Sequence, residues 1–368
     1  MTGPLPTALT AALSRWTLLL PPLASVLLGL VWGRSLPDVV AAFAALVLMG
    51  AVLAAVHHAE VVAHRVGEPL GSLILAVAVT IIEVGLIVTL MADAPSKNGT
   101  LARDTVFAAV MITCNGIVGI CLLLGALRTR VAVFNPEGTG AALATVATLA
   151  TLSLALPTFT TSTPGPQFSP TQLSFASAAA LVLYGVFVIT QTVRHREYFL
   201  PPHLHDTETD PHDERPSARA AGLSLTLLLI ALVAVVGLAK AVSPTIERGL
   251  TSAGLPASVL GVVIAMMVLL PETIAAVRAA RRDQVQIGLN LALGSAMASI
   301  GLTIPAVALA TIWLNGPLIL GLGATHLVLL ALTVAVGTLT VIPGRATPLQ
   351  GGVHLSVLAA YVILAVSP

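Results

Sequence analysis

Charged residues are scarce in this chain. Only 9% of its 368 residues are Asp, Glu, Lys or Arg, against about 25% in a typical soluble domain, whereas 57% are hydrophobic. So few polar groups cannot cover a soluble globule, which excludes the soluble classes of protein. The formal net charge is +1, so no overall charge attracts a polyanion, and we predict no nucleic-acid partner. The chain has two cysteines, Cys114 and Cys121, which would lie about 10 Å apart on one helix, too far for a disulfide.

Long apolar runs fill most of the sequence. A run of about 20 apolar residues is long enough for a helix to cross the hydrocarbon core of a bilayer, and the runs lack the alternation of barrel strands. We therefore predict an all-α polytopic membrane protein of about eleven transmembrane helices. The first run has no clear cleavage site and is kept as a helix. The predicted spans are 16–33, 37–56, 69–92, 105–127, 139–157, 171–193, 222–242, 256–277, 286–313, 318–341 and 351–367.

The connections between spans predict the orientation and the division of the chain. Twelve of the 17 lysines and arginines fall on the side of the N-terminus, and such an excess is typical of cytoplasmic loops. The N-terminus and the long loop are therefore expected in the cytoplasm and the C-terminus outside. We divide the chain into an N-terminal segment with a leading helix, a first five-helix repeat, a loop rich in acids and histidines, and a second five-helix repeat, at 1–36, 37–193, 194–221 and 222–368.

Two glutamates lie in the middle of apolar spans. Glu83 is in VTIIEVGLIV and Glu272 in VLLPETIAAV. A carboxylate near the bilayer centre costs several kcal/mol or more, so such groups usually face a bundle interior and have a function. The two segments belong to spans 3 and 8 and thus cross the membrane in opposite directions. This arrangement is typical of the inverted repeats of secondary transporters, whose ion site lies near the membrane midplane.

Polar groups accompany both glutamates. Asn115 lies in the span after that of Glu83, and Asn290 and Ser295 lie in the span after that of Glu272. Pro271 has no N–H, which leaves the Met267 carbonyl free for a ligand. Oxygen ligands of this kind suit hard cations such as Ca²⁺ and not soft metals. Close packing of small residues is the alternative explanation for the polar spans, and a packing kink is the alternative for Pro271.

At these residues the sequence resembles the calcium/cation antiporter superfamily, in particular its bacterial calcium/proton (sodium/potassium/proton) antiporter branch. The stretch HHAEVVAHRVGEPLGSLILAVAVTIIEVGLIV resembles the first repeat of that family, and LLPETIAAVRAARRDQVQIGLNLALGSAMASIGLTIPAVA resembles the second. The resemblance implies that Glu83 and Glu272 bind the cation and exchange it for protons, and that Asn115 and Ser295 help to line the site. It also implies a location in the bacterial inner membrane.

The sequence departs from the family at one position of each repeat. Many members have an asparagine three residues before the glutamate, whereas this chain has Thr80 and Leu269. A threonine hydroxyl can coordinate a cation and leucine cannot, so Na⁺/H⁺ or K⁺/H⁺ exchange stays open beside Ca²⁺/H⁺ exchange.

The expected function is secondary transport by alternating access, with Ca²⁺ or Na⁺ or K⁺ and protons as the transported species and the lipid bilayer as the surroundings. We expect no enzymatic activity and no bound cofactor, because the residues of a membrane metallopeptidase or a prenyl-diphosphate enzyme are missing. A cation channel is a further alternative. Oligomeric state is not predicted.

Several histidines are candidates for a regulatory or proton-relay role. His57, Glu60 and His64 are spaced to share one face of a helix, where with His58 they could sense pH or bind a metal. His326 lies inside span 10, where it could relay protons. Solvation of the helix end and an ordinary interhelical hydrogen bond are the respective alternatives.

Overall fold

The computed structural model describes residues 7–67, 70–93, 99–202, 216–256, 258–314 and 316–367, with the backbone alone at 7–15 and 72. Residues 203–215, the part of the predicted loop that is rich in acids and histidines, lie outside the described residues.

The described chain is helical almost throughout. Its α-helices in chain order are α1 Thr7–Val31, α2 Asp38–Val66, α3 Leu70–Asp93, α4 Leu101–Met111, α5 Val118–Thr129, α6 Pro136–Ala150, α7 Pro170–Ile189, α8 Ala218–Ser252, α9 Ser258–Arg281, α10 Val285–Gly301, α11 Thr303–Ala310, α12 Ala324–Val341 and α13 Pro348–Val366. The two strands described, β1 Ala132–Val133 and β2 Arg345–Ala346, pair antiparallel.

Within the described residues, ten helical segments are long and apolar enough to cross a membrane, and Trp16–Val31 is a shorter apolar helix. Each predicted span overlaps one of these segments. These helices confirm the prediction of an all-helical polytopic membrane protein. The runs are helical because a backbone in lipid must satisfy its own hydrogen bonds within each segment.

Two predicted span boundaries, the end of 222–242 and the start of 318–341, were wrong. Helix α8 extends well past the predicted end at residue 242 and contains Pro244. The predicted span 286–313 agrees with the segment Val285–Ala310, in which a turn at Leu302 separates α10 from α11 and Pro305 cannot donate to the Gly301 carbonyl. The predicted span 318–341 begins only at Ala324, because the residues before it are extended and use carbonyls elsewhere in the chain. Ile319, Gly321 and Leu322 donate to the carbonyls of Gly99, Pro166 and Leu154.

Within the part of the chain that the structure describes, three spans contain a π-helical turn. These turns are Ile112–Ile117 between α4 and α5, Thr151–Ala155 after α6, and Thr190–Arg194 after α7. A π-turn inserts a residue into the helical ladder and occurs frequently at functional sites. The first of the three contains Asn115, a predicted ligand.

The helices form two compact units. Unit 1 comprises Met1–Thr89 and Asp213–Gly249, and unit 2 comprises Leu90–His212 and Leu250–Pro368. In unit 1, α1 packs on α2, and α3 packs closely on α8 at Gly85, where an added Cβ would lie 2.6 Å from a Val236 methyl. Glu83 belongs to unit 1 and Glu272 to unit 2.

Glycines bring two helix pairs of unit 2 into backbone contact. A Cβ on Gly351 of α13 would lie 2.7 Å from the Leu123 nitrogen of α5, so only glycine fits there. A Cβ on Gly261 of α9 would lie 2.9 Å from backbone atoms of both Asp104 and Thr105 in α4. Helix α5 also packs on α9, so α4, α5, α9 and α13 form one packed group.

Candidate functional site

The first glutamate lies on the buried face of α3. Glu83 is 4% exposed, whereas Ile81, on the opposite face of the helix, is 47% exposed. Thr80 is one turn before Glu83 on the same face and is also buried. Its hydroxyl donates to the Ala76 carbonyl over 2.8 Å, which leaves the hydroxyl oxygen able to accept or to coordinate.

The second glutamate lies in the middle of α9, directly after Pro271. Val268, Leu269 and Ala276, each one turn from Glu272, are buried, whereas Ala275 and Glu272 itself are half-buried. The Oε2 atom of Glu272 is shielded from solvent, so the carboxylate is on the inward side of the helix. The next residue, Thr273, donates its hydroxyl to the Leu269 carbonyl over 2.7 Å. Helix α9 is continuous through Pro271, and Met267 lies one turn before it. The role of the Met267 carbonyl as a ligand stays a prediction.

Asn115 is fully buried in the π-turn, and its amide is occupied by neighbours from α12 and α13. The amide nitrogen donates to the Thr333 hydroxyl over 2.9 Å. The amide oxygen is 3.2 Å from Nδ1 of His354, whose Nε2 is 3.2 Å from the Thr340 hydroxyl. The structure therefore joins Asn115 to a histidine that the sequence analysis did not consider.

Asn290 belongs to a different polar network, near the start of α10. Its amide oxygen accepts from Gln286 over 2.8 Å, and its amide nitrogen donates to the Phe199 carbonyl over 2.6 Å. Gln286 is 1% exposed and also accepts from the backbone nitrogen of Asn135, the N-cap of α6. These bonds tie the start of α6 and the turn Arg196–Phe199 after span 6 to α10, which gives Asn290 a structural role. Ser295, further along α10, is partly exposed. The roles of both residues as ligands stay predictions.

The four polar residues near the end of α2 divide between two faces. His57, Glu60 and His64 are exposed on one face, as their spacing predicts. His58 is 1% exposed, and its ring nitrogens bond the Thr17 carbonyl over 2.9 Å and the Ser224 hydroxyl over 3.3 Å. His58 therefore joins α1, α2 and α8 within unit 1. Among the described residues, no three His, Cys, Asp or Glu side chains form a group that could hold a metal.

His326 lies in an aromatic cluster at the start of α12. Its ring centroid is 4.9 Å from that of Phe107 and 6.1 Å from that of Tyr361. One turn before Phe107, Asp104 is buried and paired with Arg103 at 2.8 Å. Arg103 also donates to the Gly321 carbonyl. The proton-relay role of His326 stays a prediction.

Among the described buried polar residues for which the sequence predicted no role are His354, Gln286 and Thr333. A signal for His354 was available, because it is an ionisable residue within an apolar span, as His326 is. Gln286 and Thr333 gave no comparable signal, since a lone polar uncharged residue in a membrane helix is common.

The chemistry available at the glutamate helices is that of hard oxygen ligands. Each glutamate turn offers a carboxylate and one threonine hydroxyl, and neither turn offers sulfur or imidazole. Such groups suit Na⁺, K⁺ or Ca²⁺, and the carboxylates can bind protons instead. Nothing in these turns resembles a nucleophile paired with a base, so hydrolytic chemistry is not favoured.

Comparison with known proteins agrees with this chemistry. The family described as sodium/calcium exchanger protein matches residues 39–193 and 223–367. The protein y4hA of Sinorhizobium fredii (strain NBRC 101917 / NGR234) is 45% identical over 363 residues, which cover 96% of each chain. The sodium-potassium/proton antiporter ChaA of Escherichia coli (strain K12) is 36% identical over 352 residues, or 94% of this chain and 95% of ChaA.

A solved structure supports the fold. The structure of native YfkE matches with a TM-score of 0.71 over 95% of this chain and 99% of YfkE, at 14% identity, a level that informs on fold alone. The family match covers most of the chain, and relatives well above 30% identity span nearly all of it. The chain therefore belongs to the sodium/calcium exchanger protein family.

Proposed function

We propose that this protein is a secondary antiporter that exchanges a cation for protons, with Glu83 and Glu272 as the groups that bind one or the other. The observation that carries the proposal is the position of each glutamate on the inward face of an apolar helix. Each glutamate has a hydroxyl on its own turn, from Thr80 or Thr273. Membership of an exchanger family makes the chain a transporter and not an enzyme.

The charge of the two carboxylates explains why cation and proton would compete. An ionised carboxylate in a medium of low polarity is costly unless a cation or a proton neutralises it. Two carboxylates are neutralised by one Ca²⁺, by two monovalent cations or by two protons. A carrier built on such groups changes its exposure when loaded, and this couples the two fluxes in opposite directions.

Ca²⁺ is our first candidate for the cation, because one divalent ion matches the charge of two carboxylates. YfkE is described as a Ca²⁺/H⁺ antiporter protein, although its low identity to this chain limits the comparison to the fold. Exchange of Na⁺ or K⁺ is the second candidate. It is favoured by Leu269, which provides no oxygen three residues before Glu272, and by the similarity to ChaA, a sodium-potassium/proton antiporter.

Proteoliposomes with a trapped pH-sensitive dye test the proposal. Addition of Ca²⁺, Na⁺ or K⁺ in turn should drive proton movement in the direction opposite to the cation, and the most effective ion identifies the substrate. Glu83→Gln and Glu272→Gln should each abolish this flux, because the amide keeps the shape of the carboxyl group and loses its charge and its proton.

Glu137→Gln is the matched control, since Glu137 is exposed at the start of α6. It should leave exchange unchanged. Wild-type exchange by either intramembrane glutamine variant, in protein with a normal size-exclusion profile, would refute the assignment of that glutamate. Cation flux that is independent of protons would indicate a channel instead.

A further inference from the structure

A cavity of unit 2 lies where three membrane-spanning segments meet the surface. It is lined by Thr129 at the end of α5, by Arg282 and Asp283 after α9, and by Val285 at the start of α10. Its volume is about 450 Å³, measured as the space open to the centre of a water molecule. Sites for small molecules have volumes of about 300–1,000 Å³. Because spanning segments end or begin at Thr129, Arg281 and Val285, the cavity lies at the level of the lipid head groups.

Arginines surround this cavity. Arg282 lines it, and Arg130 lies in the chain between two lining residues. Arg128 donates a hydrogen bond to the Arg281 carbonyl, which joins the ends of α5 and α9 beside the cavity. All four arginines are exposed.

The strand pair adds a fifth arginine to the rim. Val133 of β1 lines the cavity, and Arg345 of β2 is directly opposite Val133 in the register. Both are exposed, whereas Ala132 and Ala346 are buried, so Val133 and Arg345 lie on the same face of the pair. Asp283 is the one acid among the described residues that line the cavity, so the rim has an excess of positive charge.

Two charged residues of the rim have an uncommon backbone conformation. Arg130, at the end of α5, has φ 67°, and Asp283, after α9, has φ 63°. Glycine usually occupies this left-handed region at the end of a helix, and every other described residue with positive φ is a glycine. Charged side chains are therefore kept at two positions beside one cavity where glycine would fit the backbone better, which points to a functional use of the cavity.

Much of the remaining lining is apolar. It includes Val131, Val133, Pro201 and Pro202, and 43% of Val133 is exposed. A small inorganic anion would pair with the arginines and leave these side chains uncovered. A ligand that carries both a phosphate and hydrocarbon covers both parts of the cavity.

We propose that this cavity binds an anionic phospholipid, with its phosphate beside Arg282 and the start of its acyl chains against Val131 and Val133. An arginine guanidinium can donate two parallel hydrogen bonds to the oxygens of one phosphate. Basic pockets between membrane-spanning helices bind lipid head groups of this kind. The proposal is independent of which cation is transported and of the roles of the two glutamates.

An acidic segment of the chain itself is the competing occupant. Residues 203–215 contain five Asp and Glu residues and follow directly after Pro202, which lines the cavity. Their carboxylates could pair with the arginines but offer no hydrocarbon for the apolar wall. A phospholipid matches both parts of the lining and is already present at the ends of spanning helices, so the lipid is favoured.

Thermal unfolding of the delipidated full-length protein in a nonionic detergent tests the proposal. Added phosphatidylglycerol should raise the unfolding temperature, and phosphatidylcholine, which has no net charge, should not. The dependence on lipid concentration gives an apparent affinity. Arg282→Gln should weaken that affinity by about fivefold, the scale expected for one arginine near an anionic lipid surface. Asp283→Asn should strengthen it by a similar factor, because it removes an opposing charge and asparagine tolerates positive φ.

Arg65→Gln is the matched control, since Arg65 is exposed in the last turn of α2, another membrane-spanning helix. It should leave the affinity for phosphatidylglycerol unchanged. Equal weakening in Arg282→Gln and Arg65→Gln would mean that lipid binds wherever arginine is exposed, and this overturns the proposal. So does an unchanged affinity in Asp283→Asn, a result that can be read even if Arg282→Gln fails to fold.

Two further comparisons identify the occupant. Glycerol phosphate, which has the phosphate but no acyl chain, should not raise the unfolding temperature at the concentrations at which phosphatidylglycerol does. An equal rise would assign the cavity to a soluble phosphate compound and overturn the proposal. A variant with the five acids of residues 203–215 replaced by their amides should bind phosphatidylglycerol as the wild type does. If only that variant binds the lipid, the acidic segment is the occupant and the proposal is wrong.

Discussion

The two glutamate helices place the same kinds of ligand in different ways. In α3, the hydroxyl comes from Thr80, three residues before Glu83, in an uninterrupted apolar helix. In α9, Leu269 occupies the equivalent position, and the hydroxyl comes from Thr273, one residue after Glu272. On a helix these two positions differ by only about 40° around the axis. Thr273 thus offers a hydroxyl on nearly the same face as the position of Leu269, about 6 Å further along the axis.

The helices also differ in how they are packed. Gly85 of α3 faces a valine methyl, whereas Gly261 of α9 faces the backbone of α4. A side chain can turn away from an added methyl group, and a helix backbone cannot do so without moving the helix. We therefore regard α9 as the more rigidly held of the two.

Substitution of these two glycines is expected to give the largest difference in stability between the two helices. Gly261→Ala should destabilise the protein by about 1–3 kcal/mol through overpacking, and Gly85→Ala by less. Both substitutions gain up to about 1 kcal/mol of helix propensity. The difference between their losses of stability therefore reports how tightly each glycine contacts its neighbour. Thermal unfolding in detergent measures both. Gly185→Ala, with no neighbouring atom within 4 Å, is the control. Equal losses of stability in Gly261→Ala and Gly85→Ala would contradict the inference that α9 is held more rigidly than α3.

Pro271 is expected to give the next largest effect. Pro271→Ala restores a backbone N–H that competes for the Met267 carbonyl, so apparent cation affinity should fall by about tenfold if that carbonyl is a ligand. The affinity is read from proton flux against cation concentration. Pro305→Ala in α11 serves as the control and should leave affinity unchanged. Unchanged affinity in Pro271→Ala would assign the proline to packing.

The two threonines should give the smallest effect. Thr80→Val and Thr273→Val should each weaken apparent cation affinity by about threefold, the scale of one modest polar interaction. Thr338→Val, which loses an exposed hydroxyl with the same kind of backbone bond, should not. If Thr80→Val weakens binding and Thr273→Val does not, the second helix lacks a hydroxyl ligand, and the two helices are chemically unequal.

Much of the fold could be predicted from the sequence, because lipid imposes a simple rule on it. A run of apolar residues long enough to cross the membrane must be helical, so each predicted span overlaps a helix. The errors fall where that rule says little. Helix α8 continues past the end of its predicted span and through Pro244, and the extended segment before Ala324 donates hydrogen bonds to the carbonyls of Gly99 and Leu154, which are far away in sequence.

The candidate ligands were predictable as residue types but not in their contacts. Asn115 and Asn290 have equivalent positions in the sequence, since each lies in the span after a glutamate span. In the structure, the Asn115 amide hydrogen-bonds to His354 and Thr333. The Asn290 amide hydrogen-bonds to Gln286 and to the Phe199 carbonyl. An amide has few bonding positions, so such partners decide whether its oxygen is available to an ion.

The sequence by itself determined the membrane-spanning class, the family and the placement of two glutamates inside apolar helices. These follow from local composition and from the energetic cost of an isolated charge in lipid. Tertiary structure alone decided the buried network around His354, whose ring and the Asn115 amide are 239 positions apart. Hydrogen bonds of that range depend on how helices pack, and in this protein glycines such as Gly351 set that packing.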